Sequence, residues 1–298
     1  MEWIVAMQQA IVYMEEHLLE TINYEDVARQ VHISCYEFHR AFGFLTGMTA
    51  NAYIRRRRLS LAARELLETD ARITDIALKY GYDTPESFTK AFTRFHGVAP
   101  RSAREESARL VLFNPLAIKL TVEGGKIMDY RISQTKHQKF IAMVKSFSAE
   151  IVNDMDNHDV ADFWGECLDQ KLLEPLLALR PSGKKDLYGL CSPAKEGADT
   201  FEYGIGVLVD EDTLPFDAAQ MEALGYRSWE VKPGTYAVFD CLGNDGNCIS
   251  ETWSKFYREF LPQMGYEAEE ETDYELYFEH ERPGIFCQLW IPIVKKRP

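Results

Sequence analysis

The sequence predicts a multidomain chain: an all-α, duplicated helix-turn-helix unit, then an α+β domain of two strand-helix-strand-strand repeats forming one antiparallel sheet. Three observations predict it. The length of 298 residues exceeds what one hydrophobic core usually serves. Segments 26–50 and 75–100 repeat one another at an offset of 49 to 50 residues. Beyond residue 126, helical spacing gives way to short β-branched and aromatic runs separated by single helical stretches. The expected boundaries are 1–107 for the helical unit, 108–126 for a linker and 127–298 for the second domain.

Apolar residues make up 46% and charged residues 27%, a globular composition, and no run reaches the about 18 apolar residues of a membrane span. The opening MEWIVAMQQAIVYMEEHL, acidic at Glu2, Glu15 and Glu16, reads as an amphipathic helix and not a signal peptide. Cys35, Cys167, Cys191, Cys241, Cys248 and Cys287 are scattered without a C-x-x-C pair or a histidine cluster. Neither a disulfide framework nor a metal site is expected, and a cytoplasmic setting fits. No cofactor is expected either. The net charge of −14 is uneven: residues 1–108 hold 13 basic and 15 acidic side chains, residues 109–298 hold 20 and 32. The helical unit is thus near neutral, which predicts modest non-specific affinity for DNA phosphates.

In the first repeat, Val27, Ala28 and Val31 recur at helical spacing; Ser34 with Glu37 forms a capping box, and Phe38, Phe42 and Leu45 make the apolar face of a second helix that Gly47 stops. In the second, Thr84 caps a helix whose first position is Pro85, Phe88, Phe92 and Phe95 form its buried face, and Gly97 ends it. Ala28 and Ala77 sit where paired helices cross closely. Asn51–Leu67 predicts a connecting helix of roughly 25 Å, long enough to set two reading heads about one DNA turn, ~34 Å, apart. Of Arg55, Arg56, Arg57 and Arg58, some would meet phosphate and others pair with Glu65 or Glu68.

The outer faces of the second helices carry Tyr36, His39, Arg40 and Gly43 in one copy and Glu86, Thr89, Lys90 and Arg94 in the other. A helix that reads a major groove needs such polar side chains. A plain helical bundle with a duplicated hairpin is the alternative. The runs ISCYEFHRAFGFLTGMTANAYIRRRRLSLAARELL and ITDIALKYGYDTPESFTKAFTRFHGVAPRSAR resemble the AraC/XylS family DNA-binding domain, most diagnostically at Ala77, Gly81, Tyr82, Phe88, Lys90, Phe92, Gly97 and Pro100. The resemblance implies one reading helix in each of two adjacent major grooves, with Tyr36, His39 and Arg40 facing bases in one and Glu86, Thr89 and Lys90 in the next. Ser34, Arg55, Thr84, Ser87 and Arg94 complete the expected DNA-binding set. Most of that family place this domain last; here it comes first.

Pro115, Gly124 and Gly125 interrupt the linker, and its LVLF run is expected to be shielded from water. Then KFIAMVKSFSA reads as strand, residues 163–179 as helix, and DLYGLCSP and FEYGIGVLVD as strands. The order recurs in RSWEVKPGTYAVFDCLG, the helical NCISETWSKFYREFLPQM, and DYELYFEH with IFCQLWIPIV, so helices should cover one face of an antiparallel sheet. VKPGTYAVF, the helix around Trp253, DYELY and QLWIPI resemble the GyrI-like effector-binding domains. That resemblance implies an aromatic cleft with Glu275 as its carboxylate and Trp164, Tyr203, Tyr236, Tyr277 and Trp290 as its walls. A carboxylate among aromatic faces either keeps a proton or selects a cation. Gln288, Leu289 and Trp290 stand where relatives carry glutamate, which implies a less acidic pocket.

The expected function is a sequence-specific, DNA-binding transcription regulator whose second domain binds a small aromatic or hydrophobic ligand, cationic or neutral. Promoter DNA, a small-molecule effector and RNA polymerase are the implied partners, with no membrane; two reading heads in one chain allow monomer or dimer. No catalytic residue is expected. Two other readings remain open: hydrolysis with Glu275 as general base beside Tyr277, and a second domain that contacts only proteins.

Overall fold

Leu59, Ala62, Ala63 and Leu66 recur at helical spacing, and the helical unit is assembled around the stripe they form. The computed structural model describes residues 2–105, 109–118, 128–149, 158–180, 186–193, 200–210, 218–278 and 282–296. Its first six helices are α1 (Glu2–Glu16), α2 (Tyr24–Gln30), α3 (Cys35–Thr46), α4 (Ala50–Glu68), α5 (Ile73–Lys79) and α6 (Pro85–His96). The chain divides into two compact units, residues 1–35 with 48–121 and residues 36–47 with 122–298. Nearly all of α3 therefore belongs with the second unit, whereas the sequence places it in the first domain.

In the first unit, Ile76, Ala77 and Tyr80 of α5 and Phe88 and Phe92 of α6 bury against the α4 stripe. Thr84 caps α6 by accepting from the Ser87 N–H at 3.1 Å, Pro85 opens it, and Gly97 ends it at φ +78°, the left-handed conformation that a β-carbon disfavours. The arginines of α4 depart from expectation. Arg57 is buried and pairs with Glu15 at 2.8 Å, and Arg58 donates to the carbonyls of Leu18 and Glu20. Glu65 takes Lys79 at 2.7 Å instead, and Glu68 takes Arg64. Arg57 and Arg58 lie two turns or more from those glutamates, beyond the reach of one-turn pairing.

Residues 109–118 run extended over the first unit. Their N–H groups donate to His96, Ser60, Tyr53 and Gln8. The expectation that LVLF is shielded fails in its middle, where Val111 and Leu112 are exposed, and holds at its ends, where Leu110 packs against the first unit's core and Phe113 lies 5.9 Å from the Tyr53 ring.

The second unit adds β1 (Arg131–Thr135), β2 (Gln138–Ser148), α7 (Asp159–Asp169), α8 (Glu174–Leu177), β3 (Leu187–Pro193), β4 (Thr200–Val209), α9 (Ala218–Ala223), β5 (Tyr226–Val231), β6 (Gly234–Leu242), α10 (Asn247–Lys255), β7 (Tyr266–Ala268), β8 (Asp273–Tyr277) and β9 (Ile285–Lys295). A π-helical turn, Phe256–Phe260, prolongs α10. The strands form one sheet in the order β1-β6-β9-β8-β3-β4-β2-β5, with β7 on β9 and these neighbours antiparallel. Each repeat thus has a leading strand: β1, which the sequence reading lacked, and β5, which it ran together with β6. The two are exchanged: β1 pairs with β6 of the second repeat, and β5 with β2 of the first. The single helix expected over 163–179 is two, because the chain leaves α7 through Lys171 at φ +56°.

The seam between the repeats is the β3–β8 pair, where Gly189 lies opposite Glu275. Side chains alternate across it. Phe163, Cys167 and Leu176 of the helices pack with Ile141, Ile205 and Val207 on one face. The other face holds Phe140, Tyr188, Trp229, Tyr236 and Tyr274. Among the described residues no helix is long and apolar enough to cross a membrane.

Candidate functional site

On the helix-covered face of the second unit, the odd-numbered residues of β8 open into a cavity of about 770 Å³ lined by residues of α3, α7, β3, β4, β8 and α10. Glu275 sits at its wall. Tyr203 donates to Glu275 Oε2 at 2.6 Å and Tyr277 to the same oxygen at 2.8 Å, while Trp164 Nε1 donates to the Tyr203 hydroxyl at 3.0 Å. Burial pushes the Glu275 carboxyl up to about 7; the two phenols oppose the shift and the nearby Asp273 charge adds to it. Burial and the Glu275 charge also hold both phenols well above their usual range, so they stay donors. A β-carbon on Gly189 would lie 2.2 Å from the Tyr203 hydroxyl and 2.5 Å from Glu275 Oε2, so the arrangement needs glycine opposite the carboxylate.

Of the expected walls, Trp164, Tyr203 and Tyr277 meet around Glu275; Tyr236 and Trp290 do not. Tyr274 stacks on Trp290 at 5.3 Å and tilts against Tyr236 at 5.5 Å, and Tyr274 neighbours Glu275 in the strand, so all three rings point to the opposite face. Period-two alternation is the physical reason for the correction. It also sends Gln288 away from the pocket, to Asp240 at 2.7 Å, while Leu289 is the residue registered on Glu275. The second carboxylate of the cavity is Asp273, two residues before Glu275 in DYELY and missed by the sequence reading, although the same alternation marks it.

Asp273 is buried and paired with Arg40 of α3. The Arg40 guanidinium lies 4.1 Å from the centre of the Trp253 ring and 5.2 Å from that of Tyr36, with Glu37 at 3.5 Å and the Tyr257 hydroxyl at 3.4 Å. Tyr257 in turn donates to Glu37 at 2.6 Å. Burial opposes the arginine's charge, but Asp273, Tyr36, Tyr257 and Glu37 outweigh it and keep the guanidinium protonated. Phe44 of α3 stacks on Trp253 at 5.5 Å, and Tyr36 contacts Phe201 at 5.6 Å.

These contacts overturn the expected exposure of the first reading face. Tyr36, His39, Arg40 and Gly43 are all buried, with Arg40 5% exposed. The physical reason is the pocket itself: Asp273 with the rings of Trp253 and Tyr257 offers Arg40 a partner set that bulk water does not. The counterpart face on α6 is open. Glu86, Ser87, Lys90 and Arg94 are exposed and Thr89 half-buried, and Pro85, Glu86, Thr89, Lys90, Thr93 and Arg94 form one continuous surface. Thr84 and Arg55 are exposed and Ser34 is half-buried.

Comparison with known proteins falls along the same two parts. Residues 27–106 match the helix-turn-helix domain family, and residues 131–293, more than half of the chain, match the family of integron-associated effector binding proteins. The chain is 24% identical over 300 residues to the transcriptional regulator Rob of Salmonella typhimurium, covering 96% of this chain and 97% of that protein. It is 25% identical, with the same coverage, to the right origin-binding protein of Escherichia coli. The HTH-type transcriptional regulator YbfP of Bacillus subtilis is 42% identical over 99 residues, 33% of this chain; the chain spans 34% of that relative's length. A solved integron cassette protein from the mobile metagenome of Vibrio cholerae overlays 55% of this chain and 95% of its own at 15% identity, with a TM-score of 0.40.

Proposed function

From the premise that the chain belongs to the integron-associated effector binding protein family and carries an AraC-type DNA-binding domain ahead of a GyrI-like module, we propose that it is a promoter-binding regulator whose Glu275 pocket takes a hydrophobic, aromatic cation. DNA binding and effector binding are common to the two families; the ligand's charge is the finer reading. The observation that carries it is a carboxyl poised near 7 in an aromatic cavity, with both phenols on Oε2. Among the described residues nothing donates to Oε1. A cation that arrives there stabilises the ionised form and gains ring attraction from Trp164 and Tyr277.

Calorimetric titration of the full chain with benzyltrimethylammonium and with its neutral isostere neopentylbenzene tests this. The cation should bind at least about tenfold tighter, and Glu275→Gln should erase the preference. Equal affinity for both compounds would remove the cationic reading. Affinity for the cation should also rise from pH 6 to pH 8, as the carboxyl ionises.

On the DNA side, the exposed polar face of α6 supports Glu86, Thr89, Lys90 and Arg94 as groove-facing residues. Lys90→Ala should weaken promoter binding by about 1–3 kcal/mol in gel shifts. Tyr36, His39 and Arg40 can serve the same role only when α3 is released from the second unit.

Hydrolysis is the second reading. A carboxyl near 7 within 2.8 Å of the Tyr277 hydroxyl suits a general base. Product detected by mass spectrometry after incubation with candidate electrophiles would establish it, and loss of that product in Glu275→Gln would assign it.

A further inference from the structure

We propose that Asp273, with the rings of Trp253 and Tyr257, forms a guanidinium-recognising subsite that the chain's own Arg40 fills, so that a guanidinium-bearing effector enters only by releasing α3. This rests on the effector reading of the neighbouring Glu275 cavity and specifies its ligand and its output.

The subsite has the parts that cation recognition requires. Asp273 pairs directly with the guanidinium, and Trp253 presents its face at 4.1 Å. Tyr257 accepts from the same group at 3.4 Å. Asp273 and Glu275 share one strand face two residues apart, about 7 Å. An aryl guanidinium can therefore reach Asp273 while its ring lies in the Glu275 cavity.

The coupling follows from charge. Releasing α3 takes Arg40 away together with Glu37 and Tyr36, and with nothing in its place Asp273 loses the cation it is paired with, a cost that holds α3 in place. A cation that takes over those contacts removes the cost, whereas a neutral molecule of equal shape does not. Differential affinity for the two states of α3 is what an effector needs to shift them. The helix so held is the counterpart of α6 in the duplicated motif, and the side chains it buries are those aligned with the open face of α6. Effector binding and exposure of the first reading helix thus become one equilibrium.

The test is hydrogen exchange on the full chain, with benzylguanidine as probe and benzylurea as its neutral isostere. Saturating benzylguanidine should speed exchange of amides 36–46 by at least about tenfold, benzylurea should not, and amides of α6 should stay unchanged. Arg40→Ala should bind benzylguanidine at least about tenfold tighter than the parent chain, because the competitor is gone. Asp273→Asn should loosen 36–46 without any ligand, which keeps the test informative should Arg40→Ala not fold. Unchanged exchange in 36–46 with bound benzylguanidine, or in Asp273→Asn, overturns the inference, as does equal affinity of Arg40→Ala and the parent chain. If benzylguanidine binds in a Glu275-dependent way while 36–46 stays protected, the inference falls and the effector reading stands. If benzylguanidine binds neither the parent chain nor Arg40→Ala, the subsite falls, and the benzyltrimethylammonium titration decides the effector reading separately.

Discussion

α3 and α6 are the second helices of one duplicated motif, yet one is buried along its polar face and the other is open. Arg40 and Lys90 occupy equivalent places in the repeat. Arg40 lies among Asp273, Glu37, Trp253 and Tyr257; Lys90 faces solvent. The difference teaches that an amphipathic pattern specifies which face of a helix is apolar, and does not specify that the polar face meets water. A polar face can be buried whenever another element supplies matching charge and rings, and here β8 and α10 supply them. In the first unit the same design of helix keeps the exposed face that its sequence implies.

The largest expected effect breaks that comparison at its centre. Arg40→Ala strands Asp273, and chemical denaturation of the second unit should show a loss of about 3–5 kcal/mol; a loss below about 1 kcal/mol would mean that the pair is not buried in solution. The next effect is pH. Glu275 holds its proton more tightly folded, at about 7, than an unfolded carboxyl near 4.5 does. The folded state therefore binds the extra proton between those values, and stability falls as pH rises through that window, by on the order of 2 kcal/mol between pH 4.5 and pH 8. Glu275→Gln should flatten this term in paired denaturation series, and an unchanged slope would count against the buried carboxyl.

Gly189→Ala sharpens the comparison within the pocket. Its new methyl meets Tyr203 and Glu275 Oε2, so a cost of about 1–3 kcal/mol is expected in thermal melts. On the α6 side, Thr84→Ala removes the cap on Ser87 and should cost about 1 kcal/mol of the first unit's stability. Lys90→Ala should change stability by less than about 0.5 kcal/mol while weakening promoter binding. A matching stability loss for Lys90→Ala and Arg40→Ala would remove the contrast between the two helices altogether.

Much of the fold was legible in the residues. The repeat, the α6 cap at Thr84, the left-handed stop at Gly97 and the strand character of β2, β3, β4, β8 and β9 are local signals with local causes. β1 was not legible, because RISQT is short and polar, and its partner β6 lies about a hundred residues away in sequence. β5 was hidden inside a longer strand-rich run whose two strands go to opposite ends of the sheet, β5 beside β2 and β6 between β1 and β9. In the pocket, DYELY marked Glu275, and Trp164, Tyr203 and Tyr277 gathered around it. Tyr236 and Trp290 were misassigned because being aromatic and nearby says nothing about which sheet face a ring occupies. The alternation that corrects them also reveals Asp273.

The sequence by itself determined the two-part architecture, the apolar faces of the helices and the carboxylate strand, because periodicity, capping and β-alternation act between residues close along the chain. Only the tertiary structure decided where Arg40 goes, that Gly189 makes room for Glu275, and which rings share its cavity. Arg40 meets Asp273 233 positions further along the chain and Tyr203 meets Glu275 72 positions along, and no local pattern carries the free energy of burying a charge beside a distant partner.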